Sequence, residues 1–190
     1  MDQPGRQDIR ITRTRSAIKA AFKELAAKTP IDKISVTSIT QAAGINRKTF
    51  YLHYETIEAL LDDIVSDIMD DFFENYEKTP GEPKDIEGHA YRFFLFLSQQ
   101  DELTEHLVCT PSYYDFGKRM YREQMARYRA VDDPFAWMGA DKEELLLSFI
   151  RNTAFDMYRN WVQRGKKVPA EEVAELVARL SHNSVAEFLH

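Results

Sequence analysis

With 190 residues the chain can build one large domain or two modules, and 44% hydrophobic with 12% aromatic residues excludes disordered and collagenous compositions. A single cysteine, Cys109, excludes an internal disulfide, a cysteine-rich zinc site and a redox CxxC pair, and no run approaches the roughly 18 apolar residues of a membrane span. The net charge of −6 is unevenly spread: residues 1–54 hold 10 Lys and Arg against 4 Asp and Glu, and the remainder 15 against 27, so a basic segment suited to a polyanion precedes an acidic body.

The N-terminal MDQPGRQDIRITRTR is charged and has no apolar h-region, so no secretory signal is expected and the cytoplasm is the expected location. Ile11, Ile18, Ala21, Phe22, Leu25 and Ala26 recur at helical spacing and predict a helix from about residue 10 to 28, ended by Pro30. Ser35 stands as N-cap before Val36, Ile39, Ala42 and Ala43, and Gly44 stops that short second helix because glycine enters the left-handed conformation cheaply. Asn46 is the N-cap of a third helix, Arg47 to Tyr54, whose Phe50 and Tyr54 share the inward face. Thr56 caps a long fourth helix carrying Ile57, Leu60, Leu61, Ile64, Val65, Ile68 and Phe72.

The stretch TPGEPKD, residues 79–85, punctuates the chain. Beyond it the spacing predicts helices over Ile86–Gln100, Leu103–Cys109, Tyr113–Tyr128, Lys142–Gln163 and Glu171–Leu189, with no strong period-two alternation. The expected fold is all-α with about nine helices: a basic module of short helices over residues 1–55, a connecting helix and boundary over 56–80, and a helical domain over 81–190.

Two short helices joined by a glycine turn, the second bearing cations and hydroxyls, form a helix-turn-helix pattern. A recognition helix must keep one apolar face on its supports and offer hydrogen-bonding groups to a major groove about 12 Å wide. In GINRKTFYLHY, Phe50 and Tyr54 meet the first demand, while Arg47, Lys48, Thr49, Tyr51 and His53 remain for DNA. Tyr51 and His53 also admit a packing role beside their aromatic neighbours.

The span from Ile18 to Leu61 resembles the N-terminal module of the TetR/AcrR family of bacterial transcriptional regulators: the apolar first helix, the Ser-initiated second, then AG, TFY and LL occur in order and spacing. The TFY-HY variant is also reminiscent of the branch that includes activators of dihydroxyacetone kinase operons. The resemblance implies that Ser35 caps the second helix and touches a phosphate, Thr37 faces the duplex, Asn46, Arg47 and Lys48 open the recognition helix, Tyr51 and His53 reach the backbone, and Leu52 meets a thymine methyl. The family's phosphate-binding lysine at the start of the fourth helix is replaced by Ile57, so Arg6, Arg13 or Arg15 is expected to compensate.

The resemblance further implies that residues 1–55 are a DNA-binding helix-turn-helix domain and 81–190 an effector-binding and dimerisation domain, in a homodimer on a pseudo-palindromic operator, a repressor released by a small-molecule effector. The alternatives are an activator without an effector or a helical protein-binding adaptor. Apolar stripes on the last two helices supply dimer candidates, Phe149, Ile150, Thr153, Val173, Val177 and Leu180, although each stripe can equally face its own core. Among the crowded aromatics, Phe93, Phe96, Tyr113, Phe116 and Trp161 are the candidates for an effector pocket. No enzyme signature occurs and no cofactor or metal is expected: His106 and Cys109 lack a third partner, and Asp62, Asp63, Asp67, Asp70 and Asp71 read as a solvated acidic face without a calcium loop.

Overall fold

A computed structural model describes residues 4–75, 86–110, 115–129 and 135–189; the TPGEPKD stretch and Tyr113 lie outside them. The described residues form nine α-helices with three short 3-10 turns and no strand. The helices are α1 (Pro4–Ala26), α2 (Val36–Ala42), α3 (Arg47–Tyr51), α4 (Ile57–Asn75), α5 (Ile86–Ser98), α6 (Glu102–Cys109), α7 (Phe116–Arg129), α8 (Ala140–Gln163) and α9 (Ala170–Val185). No helix among the described residues is long and apolar enough to cross a membrane.

The chain divides into two compact units, with the division at Val65 and Ser66 inside α4. In the first, α1 packs on α2 and α2 on α3 around Ile18, Phe22, Ile39, Phe50, Leu60 and Leu61, each fully buried. The buried face of α1 begins only at Ile18: Ile11, expected to belong to the periodic apolar set, is exposed, as is Ile9. Local chemistry sets the helix ends. Ser35 and Ser38 form a reciprocal capping box at α2. At its other end the amide of Ile45 donates to the Thr40 carbonyl at 3.0 Å and that of Gly44 to Gln41 at 3.3 Å, a Schellman closure that places Gly44 at φ +64°. Asn46 Oδ1 accepts from the Thr49 amide at 2.8 Å and caps α3, and Thr56 Oγ1 accepts from the Ala59 amide at 3.1 Å and caps α4.

The second unit is built on α5, which packs along α9, with α8 lying against both. Rings of Phe72, Phe93, Phe96 and Phe155 meet edge-on or tilted in its core. Gly117 of α7 lies so near Phe155 that a β-carbon would stand 3.2 Å from its ring, tighter than ordinary van der Waals contact, so α7 approaches α8 closely there. The buried Tyr158 hydroxyl donates to the Leu97 carbonyl at 3.0 Å. Burial, reinforced by Glu105, pushes the Tyr158 phenol well up, which keeps it a neutral donor.

Candidate functional site

The turn before α3 and the capping by Asn46 aim one face of this short helix outward. Phe50 is fully buried, with the rings of Tyr51 and Tyr54 against it at 5.6 and 5.8 Å. Leu52 is 75% exposed and Tyr51 47% exposed, so of the two roles open to Tyr51 in the sequence the packing role falls away for its hydroxyl end. His53 is half-buried, as is Thr49, whose hydroxyl donates to Asn46 Oδ1 at 3.1 Å.

Arg47 is exposed yet held in place. Its Nη1 donates to Thr37 Oγ1 at 3.1 Å and its Nη2 to the Tyr51 hydroxyl at 3.4 Å, which ties α2 to α3 across the turn. A guanidinium oriented by two partners retains unused donors and loses less rotamer freedom when it meets an acceptor. Lys48 and Ser35 are exposed on the same module.

Beneath this surface lies a polar cluster that sequence patterning did not single out. Asp63 receives Arg15 Nη2 at 2.6 Å on one oxygen, and Lys19 Nζ at 2.7 Å and the Tyr54 hydroxyl at 2.6 Å on the other. The Asp63 side chain is only 18% exposed, which corrects its reading as part of a solvated acidic face. Burial opposes its ionisation, but Lys19, Tyr54 and Arg15 together outweigh burial and hold the carboxyl below its usual range. Burial foremost, then the bond to Asp63, raises the Tyr54 phenol. The legible signal was the pair of cations four apart on α1, but nothing in the spacing names their partner on α4, 48 residues beyond Arg15. Arg15 is thereby engaged inside the unit, and of the cations expected to replace the family's lysine Arg13 is the exposed one whose side chain is described.

The second unit contains a cavity of about 50 Å³ among α5, α7, α8 and α9. Of the expected pocket residues, Phe93 lines it, together with Phe94, Leu97, Phe155 and Tyr158. Phe96 and Phe116 do not: they are buried in the packed core. Trp161 instead lies against Phe94 at 5.5 Å and donates Nε1 to the Val168 carbonyl at 2.8 Å. Val177 and Ile150, named as dimer candidates, also line the cavity, and Val173 is buried, so these three belong to the inner side of their helices. The outward apolar face of α8 and α9 comprises Leu145, Phe149, Leu176 and Leu180, while Thr153 is half-buried. At Cys109, burial foremost and then Glu105 raise the thiol, the opposite of what a thiolate nucleophile requires.

No protein-family profile matches the chain. A stretch of 59 residues, 30% of the chain, is 41% identical to the uncharacterized HTH-type transcriptional regulator YxbF of Bacillus subtilis (strain 168), and covers only 16% of that protein's length. A TetR transcriptional regulator from Streptococcus agalactiae 2603V superposes with a TM-score of 0.66 at 21% identity, over 94% of this chain and 99% of its own. The fatty acid degradation regulator FadR from Bacillus halodurans does so with a TM-score of 0.57 at 16% identity, over 95% and 96%. The chain has the all-helical fold of the TetR-family transcriptional regulators, and its resemblance to them extends well beyond Ile18–Leu61. The likeness to the dihydroxyacetone kinase operon activator DhaS, with a TM-score of 0.44, is too slight to place the chain in that branch.

Proposed function

We propose that the chain is a DNA-binding transcriptional regulator that acts as a homodimer, inserts α3 into the major groove of each half of a pseudo-palindromic operator, and leaves that operator when a small molecule enters the second unit. The observation that carries the reading is the outward face of α3: Arg47 held by Thr37 and Tyr51, Lys48 beside it, and a bare Leu52, all on a helix whose other face is locked by Phe50. Cations and hydroxyls serve phosphates and base edges, and an exposed leucine suits a thymine methyl. Ser35, Thr37, Thr49 and His53 stand around them as backbone contacts.

One helix this short reads few base pairs, each worth about 1–3 kcal/mol, so specificity calls for two copies on a two-fold axis. The apolar face Leu145, Phe149, Leu176 and Leu180 supports α8 and α9 as the seam. The cavity supports an effector, and α4, which belongs to both units, supports a tilt that alters the spacing of the recognition helices. Repression released by ligand follows the resemblance.

The test is selection of bound duplexes from a random pool, followed by titration at several salt concentrations. A two-fold symmetric consensus, bound with affinity that falls steeply as salt rises, is the expected outcome. Absence of salt-dependent binding to any duplex overturns the reading and leaves a protein-binding adaptor.

A further inference from the structure

The surface of the cavity among α5, α7, α8 and α9 defines what it can hold, an inference that rests on reading it as the effector site. Its wall is almost wholly apolar, although His89, Gln124, Arg151 and Ser181 are among the residues that form it, so these four meet the space chiefly with carbon. Their polar atoms are engaged elsewhere where the bonds are seen. His89 and Gln124 bond to each other through their Nε2 atoms, and the Arg151 guanidinium lies over the Tyr121 ring at 5.6 Å with its Nε toward Asn152 Oδ1 at 3.4 Å. Among the described residues no buried side-chain nitrogen or oxygen lacks a hydrogen-bond partner. Nothing in the wall waits for a polar group.

The space is held open by contacts of its own wall. The Tyr158 hydroxyl is fixed on the Leu97 carbonyl at 3.0 Å, and the rings stand edge-on in pairs, Tyr158 with Phe94 at 5.7 Å and Phe155 with Phe93 at 6.0 Å. Rings locked in this way close on the space only by giving up those contacts. Water is a poor occupant, since a buried water needs about two to four polar partners. A charged or hydrogen-bonding guest gives up its hydration and finds no partner in return. An apolar guest restores the dispersion contacts that the lining atoms lack on their empty side.

Size narrows the class further. The volume of about 50 Å³ is a third of the roughly 150 Å³ that admits benzene to a dry apolar cavity, which limits the guest to about three non-hydrogen atoms. We propose that the cavity binds an uncharged molecule of that size without hydrogen-bonding groups, a small hydrocarbon or halocarbon, and that the effector of this protein belongs to this class. Phe93, Phe94, Ile150 and Phe155 supply its contacts, and the same wall rejects acids, amines and amides of equal size.

The experiment is methyl NMR of the DNA-free full-length protein titrated with xenon and with cyclopropane, read at Ala90, Leu97, Ile150 and Val177, whose methyl-bearing side chains line the cavity. Formate and formamide serve as charged and polar counterparts of similar size, and Ala154→Leu places a larger side chain in the same wall. The expected result is saturable shifts centred on those methyls with at least one apolar guest, at least about tenfold weaker binding of formate and formamide, and a similar loss of the apolar guest in Ala154→Leu. No saturable shift with either apolar guest overturns the proposal, as does equal affinity for formamide, or undiminished binding by folded Ala154→Leu. The comparison of guests uses the parent protein, so it decides even where Ala154→Leu fails to fold. Because no DNA is present, failure here leaves the DNA-binding reading standing. Apolar binding that leaves operator affinity unchanged would overturn the effector role alone and uphold the class of guest.

Discussion

The two units are fixed by different kinds of contact. In the first, they sit at helix ends and between helices and fix a surface: Ser35, Asn46 and Thr56 close helix N-termini, Thr37 and Tyr51 hold Arg47, and Asp63 gathers Arg15, Lys19 and Tyr54. In the second, aromatic rings fill the interior and the surface of its small cavity is almost wholly apolar. A surface that must present a fixed pattern to DNA gains from rigid pairing, which cuts the ordering cost of binding. The comparison teaches that short polar bonds fix the surface of the first unit, whereas apolar ring packing fixes the interior of the second.

The largest effect that sharpens this contrast comes from the interior. Val177→Asp places a carboxylate in the packed wall between α9 and α5 and is expected to cost about 3–5 kcal/mol, abolishing the near-ultraviolet circular dichroism of Trp137 and Trp161, both of which lie in the second unit. Phe149→Glu, on the outward face, is expected to retain that signal and to weaken self-association by about tenfold or more in sedimentation equilibrium. If Phe149→Glu stays as dimeric as the parent, the seam lies elsewhere.

Next comes the reading surface. Replacing Arg47 and Lys48 together by alanine should weaken operator binding by about 100-fold and reduce the salt slope by roughly two, with the Trp signals intact. Unchanged binding in the folded double variant would detach α3 from DNA altogether.

Asp63→Asn is expected to have a smaller effect, with a distinctive dependence on pH. The folded carboxyl titrates below its unfolded value of about 3.9, so its stabilisation is full above that pH and is lost as pH falls through the folded value. Acid titration followed by amide exchange in α1 and α3 should show this loss in the parent and not in Asp63→Asn; identical acid profiles would mean that the cluster is energetically idle. The smallest effects belong to single bonds. Tyr54→Phe removes only the hydroxyl donated to Asp63, and Ser35→Ala removes one cap; each should cost about 1 kcal/mol in denaturant midpoint measurements.

Much of the first unit was legible in the chain because its determinants are local. Caps, glycine turns and helical spacing act over three or four residues, so Ser35, Gly44, Asn46 and Thr56 could be placed before any coordinates. The helices of the second unit were legible for the same reason, to within a few residues at their ends. What covers each apolar stripe was not legible: a periodic face states that it is buried and is silent about its partner. Only the packing of α9 on α5 turned Val173 and Val177 inward and left Leu176 and Leu180 outside. Only the approach of α1 to α4 brought Arg15 and Lys19 to Asp63. The aromatic crowding was plain in the composition, but which rings close on one another and which stand back around a cavity depends on helix packing, set by close contacts such as Gly117 against Phe155. Short-range bonding is written in residue order; long-range juxtaposition is a property of the folded whole.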